Sequence, residues 1–282
     1  NVIHMTNACL VNDDHVRLFQ RYPPRDIEVT VYGVTPEVYE RISRVPGSYD
    51  MFRRGLDRLM AAGIKVRLKA MALRSNIHEL PAIAEFCRLR TKDYFRFDPQ
   101  LHLRFDRDPS RNKEILAERL LPREVAAIEQ MDQERSDELE RNCDRFIWST
   151  EVHRDCNHLF HCATGRYEFT ISSEGRLRLC SSLWAPGTTY DLRQGSLKKA
   201  WEDFVPGVLS MESGNPTYRE RCRVCKIVNL CLWCPAHAYL ETGKMDEWVE
   251  YFCQVAHARA EAIKARKNKT ISDKEAPTAA AR

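Results

Sequence analysis

One stretch near the N-terminus decides the fold class: Ile27-Glu28-Val29-Thr30-Val31-Tyr32-Gly33-Val34-Thr35-Pro36-Glu37. Its opening residues alternate in character and are rich in β-branched side chains, which predicts a half-buried strand that stops at Gly33. Thr35 can cap a helix and Pro36 suits a first helical turn. The stretch therefore predicts a strand, a short turn and a helix in direct succession.

The same alternation continues on both sides of this stretch. Strands are predicted at residues 2–6, 65–71 and 94–97, and helices at residues 14–20, 49–60 and 77–89. Strands that alternate with helices imply right-handed crossovers and a parallel sheet, either open or closed as a barrel. The predicted fold class of residues 1–105 is therefore α/β.

Composition excludes several classes of protein. The 282 residues are 43% hydrophobic, which suffices for one sizeable core or two modest ones. A net charge of only +4, from 44 basic and 40 acidic residues, argues against a nucleic-acid-binding protein. No apolar run approaches the ~18 residues of a membrane span, so no membrane partner is expected.

Cysteines dominate the second half of the chain. Eight of the eleven fall between Cys156 and Cys253, and two C-x2-C pairs lie close together. Such a pair lets both thiolates turn toward one ion or cluster, and eight thiolates make two sets of four. A predicted hairpin, residues 167–171 and 176–179, would carry Cys180 back toward Cys162. The full spacing is Cys156-x5-Cys162-x17-Cys180, then Cys222-x2-Cys225-x5-Cys231-x2-Cys234, then Cys253.

Three interpretations of this constellation compete. Disulfides would require an oxidising compartment and are typical of core-poor domains, whereas this chain has an ordinary apolar content and no recognisable export signal. Two structural zinc sites would fit the C-x2-C pairs. Iron–sulfur clusters fit them equally well.

The cysteine pattern resembles the SPASM domain, the C-terminal extension of many radical S-adenosylmethionine (radical SAM) enzymes. The resemblance extends to Cys234-Pro235-Ala236 and Tyr251-Phe252-Cys253. It implies two auxiliary [4Fe–4S] clusters, and it favours iron–sulfur ligation over the alternatives. The family spacing is more often x3 than the x2 found between Cys231 and Cys234, which leaves the assignment of these two open. The implied ligand sets are Cys156, Cys162, Cys180 and Cys234 for one cluster, and Cys222, Cys225, Cys231 and Cys253 for the other.

The first half is similar to strands three to six of a radical SAM barrel. Met5-Thr6-Asn7 resembles the third strand, residues 30–37 the fourth strand and its turn, and residues 65–71 the fifth. By this resemblance Asn7 and Thr30 would contact S-adenosylmethionine. The C-x3-C-x2-C motif of the radical-generating cluster is absent from the 282 residues, so we expect the chain to be N-terminally incomplete.

The resemblance implies a partial radical SAM-type (β/α) barrel followed by a small cysteine-rich α+β SPASM domain. The predicted divisions are the barrel at 1–105, a helical linker at 106–150 with one helix over 123–142, and the SPASM domain at 151–256. Residues 257–282 would be a helix end and a tail, disordered from Lys264.

The implied function is that of a radical SAM enzyme. The intact enzyme would bind S-adenosylmethionine and a third [4Fe–4S] cluster, and would generate a 5′-deoxyadenosyl radical that abstracts hydrogen from a peptide or protein. A flavodoxin or ferredoxin would supply electrons, the cytoplasm is the expected location, and catalytic residues are not identified. The chain as given would bind clusters without turnover. The alternative is a non-enzymatic iron–sulfur or zinc protein for electron transfer or binding.

Minor roles are expected for several further side chains. His102 and Asp106 are candidates to face a substrate, and Cys9, Cys87 and Cys143 are expected to pack rather than ligate. Surface or supporting roles around the clusters are expected for His153, His158 and His161, and shielding roles for Trp184, Trp201 and Trp233.

Overall fold

A computed structural model of the chain describes residues 2–92, 95–145, 157–161, 164–231 and 233–275. It divides into two compact units. The sheet unit comprises Asn1–Leu101 and Glu114–Leu120, and the cysteine unit comprises His102–Lys113 and Leu121–Arg282. Residues of the expected linker, 106–150, are thus shared between the two units.

The sheet unit contains a four-stranded parallel sheet, as the alternating pattern predicts. Its strands are β1 (Ile3–Thr6), β2 (Asp26–Val31), β3 (Val66–Met71) and β4 (Arg96–Asp98). They lie side by side in chain order, and every neighbouring pair is parallel.

Helices connect these strands close to the predicted positions. They are α1 (Asp13–Arg21), α2 (Pro36–Ser43), α3 (Ser48–Ala61) and α4 (Leu80–Arg90), the last preceded by a 3-10 turn at Ile77–Glu79. Thr35 caps α2 as predicted, because its hydroxyl accepts a hydrogen bond from the Val38 backbone N–H at 3.3 Å. A further helix, α5 (Pro109–Glu118), contributes its C-terminal part to this unit.

The two faces of the sheet differ in character. On one face Val29, Val31 and Leu68 are buried, and α3 supplies Phe52 and Leu56 to the same core. On the other face the alternate positions of the strands carry polar groups such as Glu28 and Lys69, which form an ion pair of 3.0 Å. Parallel sheets are usually apolar on both faces, so a polar face is unusual for a sheet of this kind.

The buried side-chain amide of Asn76 connects the C-terminal ends of β2 and β3 by hydrogen bonds. The Asn76 side chain donates to the carbonyl oxygens of Tyr32 and Met71, at 2.8 and 3.0 Å, and accepts from the Leu73 N–H at 2.8 Å. Without Asn76, each of these backbone groups at the strand ends would lack this hydrogen-bond partner. Asn76 therefore fixes the spacing of two neighbouring strand ends.

The cysteine unit is built from short elements. A three-stranded antiparallel sheet contains β5 (Thr170–Ile171), β6 (Arg176–Arg178) and β7 (Tyr190–Asp191), so the predicted hairpin forms with shorter strands and gains a third partner. No helix in the described ranges is long and apolar enough to cross a bilayer. The helices are α6 (Pro122–Met131), α7 (Gln133–Arg145), α8 (Leu197–Lys199), α9 (Val205–Leu209), α10 (Pro235–Thr242) and α11 (Glu250–Glu275).

Two sequence expectations about helices need correction. The single helix expected over 123–142 is interrupted at Asp132, whose extended backbone ends α6 and whose carboxylate accepts from the Arg135 N–H at 3.0 Å, as a cap does. The tail expected to be disordered from Lys264 is helical to Glu275, since Ala, Lys, Arg and Glu are strong helix formers. Residues 276–282 lie outside the described residues.

A buried ion pair ties the long C-terminal helix to the rest of the unit. Arg259 on α11 contacts both carboxylate oxygens of Glu129 on α6 at 2.8 Å, and the two side chains are 3% and 0% exposed. A further Arg259 nitrogen donates to the carbonyl oxygen of Leu230 at 2.7 Å. Arg259 thereby links α6, α11 and the loop that carries the C-x2-C pairs.

Candidate metal centre in the cysteine unit

The segment with the two C-x2-C pairs is a chain of tight turns. The N–H of Cys225 donates to the carbonyl of Cys222, the N–H of Val228 to that of Cys225, and the N–H of Cys231 to that of Val228, at 3.0 to 3.3 Å. Turns of this kind keep consecutive thiols on the same side of the chain. The segment is therefore shaped to present several sulfur atoms to one space.

Two further cysteines are placed by helices. The Cys234 sulfur caps the N-terminus of α10 by accepting from the His237 N–H at 3.4 Å, and Pro235 occupies the first helical position. Cys253 lies in the first turn of α11, where its N–H donates to the Val249 carbonyl at 3.2 Å. The N-terminal ends of α10 and α11 thus carry two further cysteine sulfur atoms, in addition to those on the turns.

Five of the eight predicted ligands line one cavity of about 410 Å³. Apolar and aromatic side chains form much of the rest of its wall, including Tyr218, Trp233, Trp248 and Val249. The cavity is therefore rich in sulfur, with walls suited to limiting the access of water. The cysteines are Cys222, Cys225, Cys231, Cys234 and Cys253.

Four of these thiols also affect one another electrostatically. Burial, together with the neighbouring Cys231, Cys253 and Cys225, raises the pKa of Cys222 to about 12. Burial likewise raises the pKa of Cys231 to about 11, opposed by the N–H of Trp233, with Cys253 and Cys225 again acting upward. Deprotonation of these thiols would therefore require nearby positive charge, which a bound metal centre would provide.

The arrangement of the side chains does not by itself identify a metal. Within the described ranges, no set of three or more His, Cys, Asp or Glu side chains is placed to hold a metal ion. A zinc ion needs its ligand atoms about 2.0–2.3 Å from one point.

The first predicted ligand set is only partly described. Cys156 and Cys162 lie outside the described residues, Cys234 is in the cavity wall, and Cys180 follows β6 and is half-buried. The eight cysteines that the structure describes are all free thiols, which does not support the disulfide interpretation for that part of the chain.

Cys87 is buried in the sheet unit as expected, and burial raises the pKa of its thiol to about 12.

The predicted S-adenosylmethionine contacts lie in the sheet unit. Asn7 follows β1, is exposed, and its side chain accepts from the Cys9 N–H at 3.2 Å in a local turn. Thr30 is a half-buried residue of β2 on the polar face, in register with Lys69 of β3. Neither position carries a contact that identifies a ligand.

The minor candidates have local partners. Asp106 is paired with Arg104 at 2.6 Å, and hydrogen bonds from Arg104 lower the pKa of that carboxyl to about 2. The His102 ring stacks on that of His237, with ring centroids 3.6 Å apart. His153 is outside the described residues, and His158 lies 3.6 Å from Glu212.

His161 and Trp233, for which supporting and shielding roles are expected, line the cavity. Trp184 and Trp201 instead pack against Phe105 and Phe169.

Sequence reasoning missed two arginines and Trp248 beside the thiols. Arg221 and Arg223 flank Cys222 and line the cavity, and the Arg221 guanidinium lies 4.4 Å from the centroid of the Trp248 ring. The available signal was the position of these basic residues directly beside a C-x2-C pair. Positive charge beside a set of thiolates is what an anionic cluster would require.

This chain is similar to known proteins in its fold, although comparisons of its sequence find no match. No protein-family model matches this chain, and no curated protein matches its sequence. Solved structures do match. Native anSMEcpe with bound AdoMet, an anaerobic sulfatase-maturating enzyme of the radical SAM class, has a TM-score of 0.61 at 12% identity, over 97% of this chain and 76% of that one.

A second match is native anSMEcpe with bound AdoMet and Kp18Cys peptide, with a TM-score of 0.59 at 12% identity, over 96% of this chain and 75% of that one. A third is the same protein with bound AdoMet and Cp18Cys peptide, with a TM-score of 0.59 at 11% identity, over 97% and 76%. The chain thus has a mixed α/β fold with a parallel sheet that is similar to radical SAM enzyme structures.

Proposed function

We propose that this chain is part of a radical SAM enzyme and that its cysteine unit binds two auxiliary [4Fe–4S] clusters. The observation that carries the proposal is the single cavity lined by five of the eight predicted cysteine ligands. The similarity of the fold to radical SAM enzymes supports the same interpretation.

The ligands of the outer cluster would be Cys222, Cys225, Cys231 and Cys253. Their mutual electrostatic influence supports this grouping. The other cluster would be held by Cys156, Cys162, Cys180 and Cys234. When bound, such clusters would supply one-electron transfer at potentials set by ligation, charge and solvent exposure.

The rest of the chain would provide the environment of these groups. Trp233 and Trp248 would limit the access of water to the sulfur atoms, and Arg221 and Arg223 would offset negative charge. In the sheet unit, Asn7 and Thr30 would contact S-adenosylmethionine. The C-x3-C-x2-C motif is not among the 282 residues, so turnover would require a radical-generating cluster held by sequence outside them.

The proposed substrate is a peptide or protein, reached by a 5′-deoxyadenosyl radical. Two of the similar solved structures hold a peptide together with AdoMet, which supports this choice. A flavodoxin or ferredoxin would deliver electrons. Oxygen-sensitive clusters and free thiols favour a reducing compartment such as the cytoplasm.

Metal content tests the proposal directly. The full chain, purified without oxygen, should contain about eight irons and equal sulfide, because two four-iron clusters are proposed. Cys225→Ala should lower the iron content by about half. Cys9→Ala, which changes a thiol of the sheet unit, should leave iron unchanged. Zinc in place of iron, or full iron in Cys225→Ala, would contradict the assignment.

The alternative of a non-enzymatic iron–sulfur protein requires its own test. A version of the protein that includes a C-x3-C-x2-C segment should cleave S-adenosylmethionine when reduced, and mutation of that motif should abolish the cleavage. Iron binding without any cleavage by such a protein would favour the electron-transfer or binding role.

A further inference from the structure

The segment that carries the first C-x2-C pair is basic and exposed. Residues 219–226 contain four basic side chains and a single acidic one, Glu220. The side chains of Arg219, Arg221 and Lys226 are exposed. The segment thus presents net positive charge to solvent, a few positions from two of the proposed ligands of the outer cluster.

An exposed apolar side chain lies in the middle of this basic segment. Val224 is 42% exposed and lies between Cys222 and Cys225 in the C-x2-C pair. Both thiols are themselves only half-buried. Weak electron-transfer complexes bury small interfaces, below about 1,200 Å², and interface centres are depleted of charge while arginine is enriched in interfaces. An apolar side chain flanked by arginines and a lysine has this character.

The proposed outer cluster also approaches the surface at Cys253. A second, more open cavity of about 650 Å³ is lined by Cys253 and shares Trp248 with the first cavity. A cluster ligated by Cys253 would therefore lie close to the protein surface. Because this cavity has charges of both signs, the net positive charge near the cluster comes from residues 219–226. The charged side chains of the second cavity are Arg123, Arg221, Glu250 and Glu261.

We propose that residues 219–226 form the docking surface for an acidic protein that carries one electron, and that this carrier reduces the outer cluster. The inference rests on the proposed function, since it needs the outer cluster. One electron leaves the reduced carrier and enters the cluster, and no bond is made or broken. Negative charge on the carrier complements the basic segment, and such complementarity speeds the encounter of two proteins more than it strengthens their complex.

The position of the surface favours a redox protein among acidic partners. Electron transfer requires the carrier and the cluster to be close together, and the docking surface contains two of the proposed ligands, Cys222 and Cys225. Another acidic macromolecule would match the charge of residues 219–226 but would gain nothing from their position beside a redox centre.

The test measures electron transfer between the iron-loaded full chain and an acidic plant-type ferredoxin by stopped-flow absorbance. Reduced ferredoxin is mixed with the oxidised chain. Separately, dithionite-reduced chain, freed of dithionite, is mixed with oxidised ferredoxin, so that one of the two directions runs downhill. Arg219→Glu and Lys226→Glu should each lower the second-order rate constant about tenfold at low salt, because electrostatic steering is lost. At about 1 M salt, where charges are screened beyond ~3 Å, this difference should vanish.

A charge reversal in the other unit is the matched control. Arg54→Glu changes the net charge of the chain by the same amount at an exposed position of α3, and should change the rate constant by less than about twofold. All variants should bind as much iron as the wild type. Lys226→Gln removes the charge without reversing it, so its effect should be about threefold, and it replaces Lys226→Glu if that variant loses iron.

Other outcomes separate the two levels of inference. Wild-type protein without iron would overturn the proposed function itself. Wild-type protein with about eight irons would overturn only the docking surface if it exchanged no electrons with ferredoxin in either direction, or exchanged them at a rate that Arg219→Glu and Lys226→Glu leave unchanged.

Three further results would also overturn the docking surface. An equal loss in Arg54→Glu would show that the net charge of the chain steers the carrier. Loss of iron from both Arg219→Glu and Lys226→Gln would assign the basic side chains to holding the cluster. Dimers of the iron-loaded chain that Arg219→Glu dissociates would assign the surface to a second copy of this chain.

Discussion

The sheet unit and the cysteine unit differ in how their interiors are held together. In the sheet unit the core is apolar and regular, and the stacked Tyr39 and Phe52 at its centre are fully buried. In the cysteine unit the sheet strands are only two or three residues long, and charged side chains such as Glu129, Arg178 and Arg259 are buried beside half-buried thiols. The cysteine unit also has an apolar core, which includes Leu177, Leu179 and Leu183, but part of its interior is held by buried charges such as the Glu129–Arg259 pair.

This difference has a consequence for mutation. A distributed apolar core tolerates the loss of one polar partner at its edge, but a unit built on buried charges does not, because the remaining charge cannot return to water. The proposed clusters would add further concentrated interactions to the cysteine unit, since metal binding is coupled to folding. Substitution of a buried polar side chain in each unit, Glu129 in the cysteine unit and Asn76 in the sheet unit, can therefore test this difference.

The largest effect is expected at the buried ion pair of the cysteine unit. Glu129→Ala should lower the free energy of unfolding of this unit by about 3–5 kcal/mol, because Arg259 is left buried without its carboxylate. Urea unfolding followed by tryptophan fluorescence would measure it. Glu134→Ala, at an exposed position of α7, is the control and should change stability by less than about 0.5 kcal/mol.

A double substitution sharpens this prediction. Glu129→Leu combined with Arg259→Met removes both charges and should recover much of the lost stability. If the double variant were as unstable as Glu129→Ala, the loss would arise from packing and from the Leu230 contact rather than from an unpaired charge.

A smaller effect is expected at the polar anchor of the sheet unit. Asn76→Ala removes three hydrogen bonds at the ends of β2 and β3, and leaves their backbone groups without partners, which should cost about 1–3 kcal/mol. Thermal unfolding of the sheet unit would measure it, with His78→Ala at an exposed neighbouring position as the control. A loss as large as that of Glu129→Ala would break the proposed contrast between the units.

The smallest effect concerns acid stability of the sheet unit. The hydrogen bond from Lys65, together with Arg25 and Arg67, lowers the pKa of the Asp26 carboxyl below its usual value. A lowered pKa in the folded state gives stability that is present above the unfolded pKa of about 3.9 and is lost as the pH falls through the folded value. Asp26→Asn should therefore unfold with a weaker dependence on pH below about 4.

Parallel acid-unfolding curves of the wild type, Asp26→Asn and the exposed Asp57→Asn would measure this effect. Asp57→Asn should follow the wild type. Curves of identical slope for Asp26→Asn and the wild type would show that the three cations do not stabilise the Asp26 carboxylate.

Local sequence patterns were sufficient to predict most of the strands and helices of the sheet unit. The alternation in residues 27–32 predicted β2, and the capping pair Thr35 and Pro36 predicted the start of α2, because both depend on neighbours within a few residues. The break between α6 and α7 at Asp132 was missed, since both sides of it are equally rich in helix-forming residues.

By itself, the sequence determined the alternating parallel architecture and the number and spacing of the thiols. Periodicity and short motifs are local properties, and they can be read without knowledge of distant contacts. Only the tertiary structure decided which thiols share a cavity and that Arg259 reaches Glu129 across 130 positions. These features depend on residues far apart in the chain, whose approach is set by packing and by the need to pair buried charge.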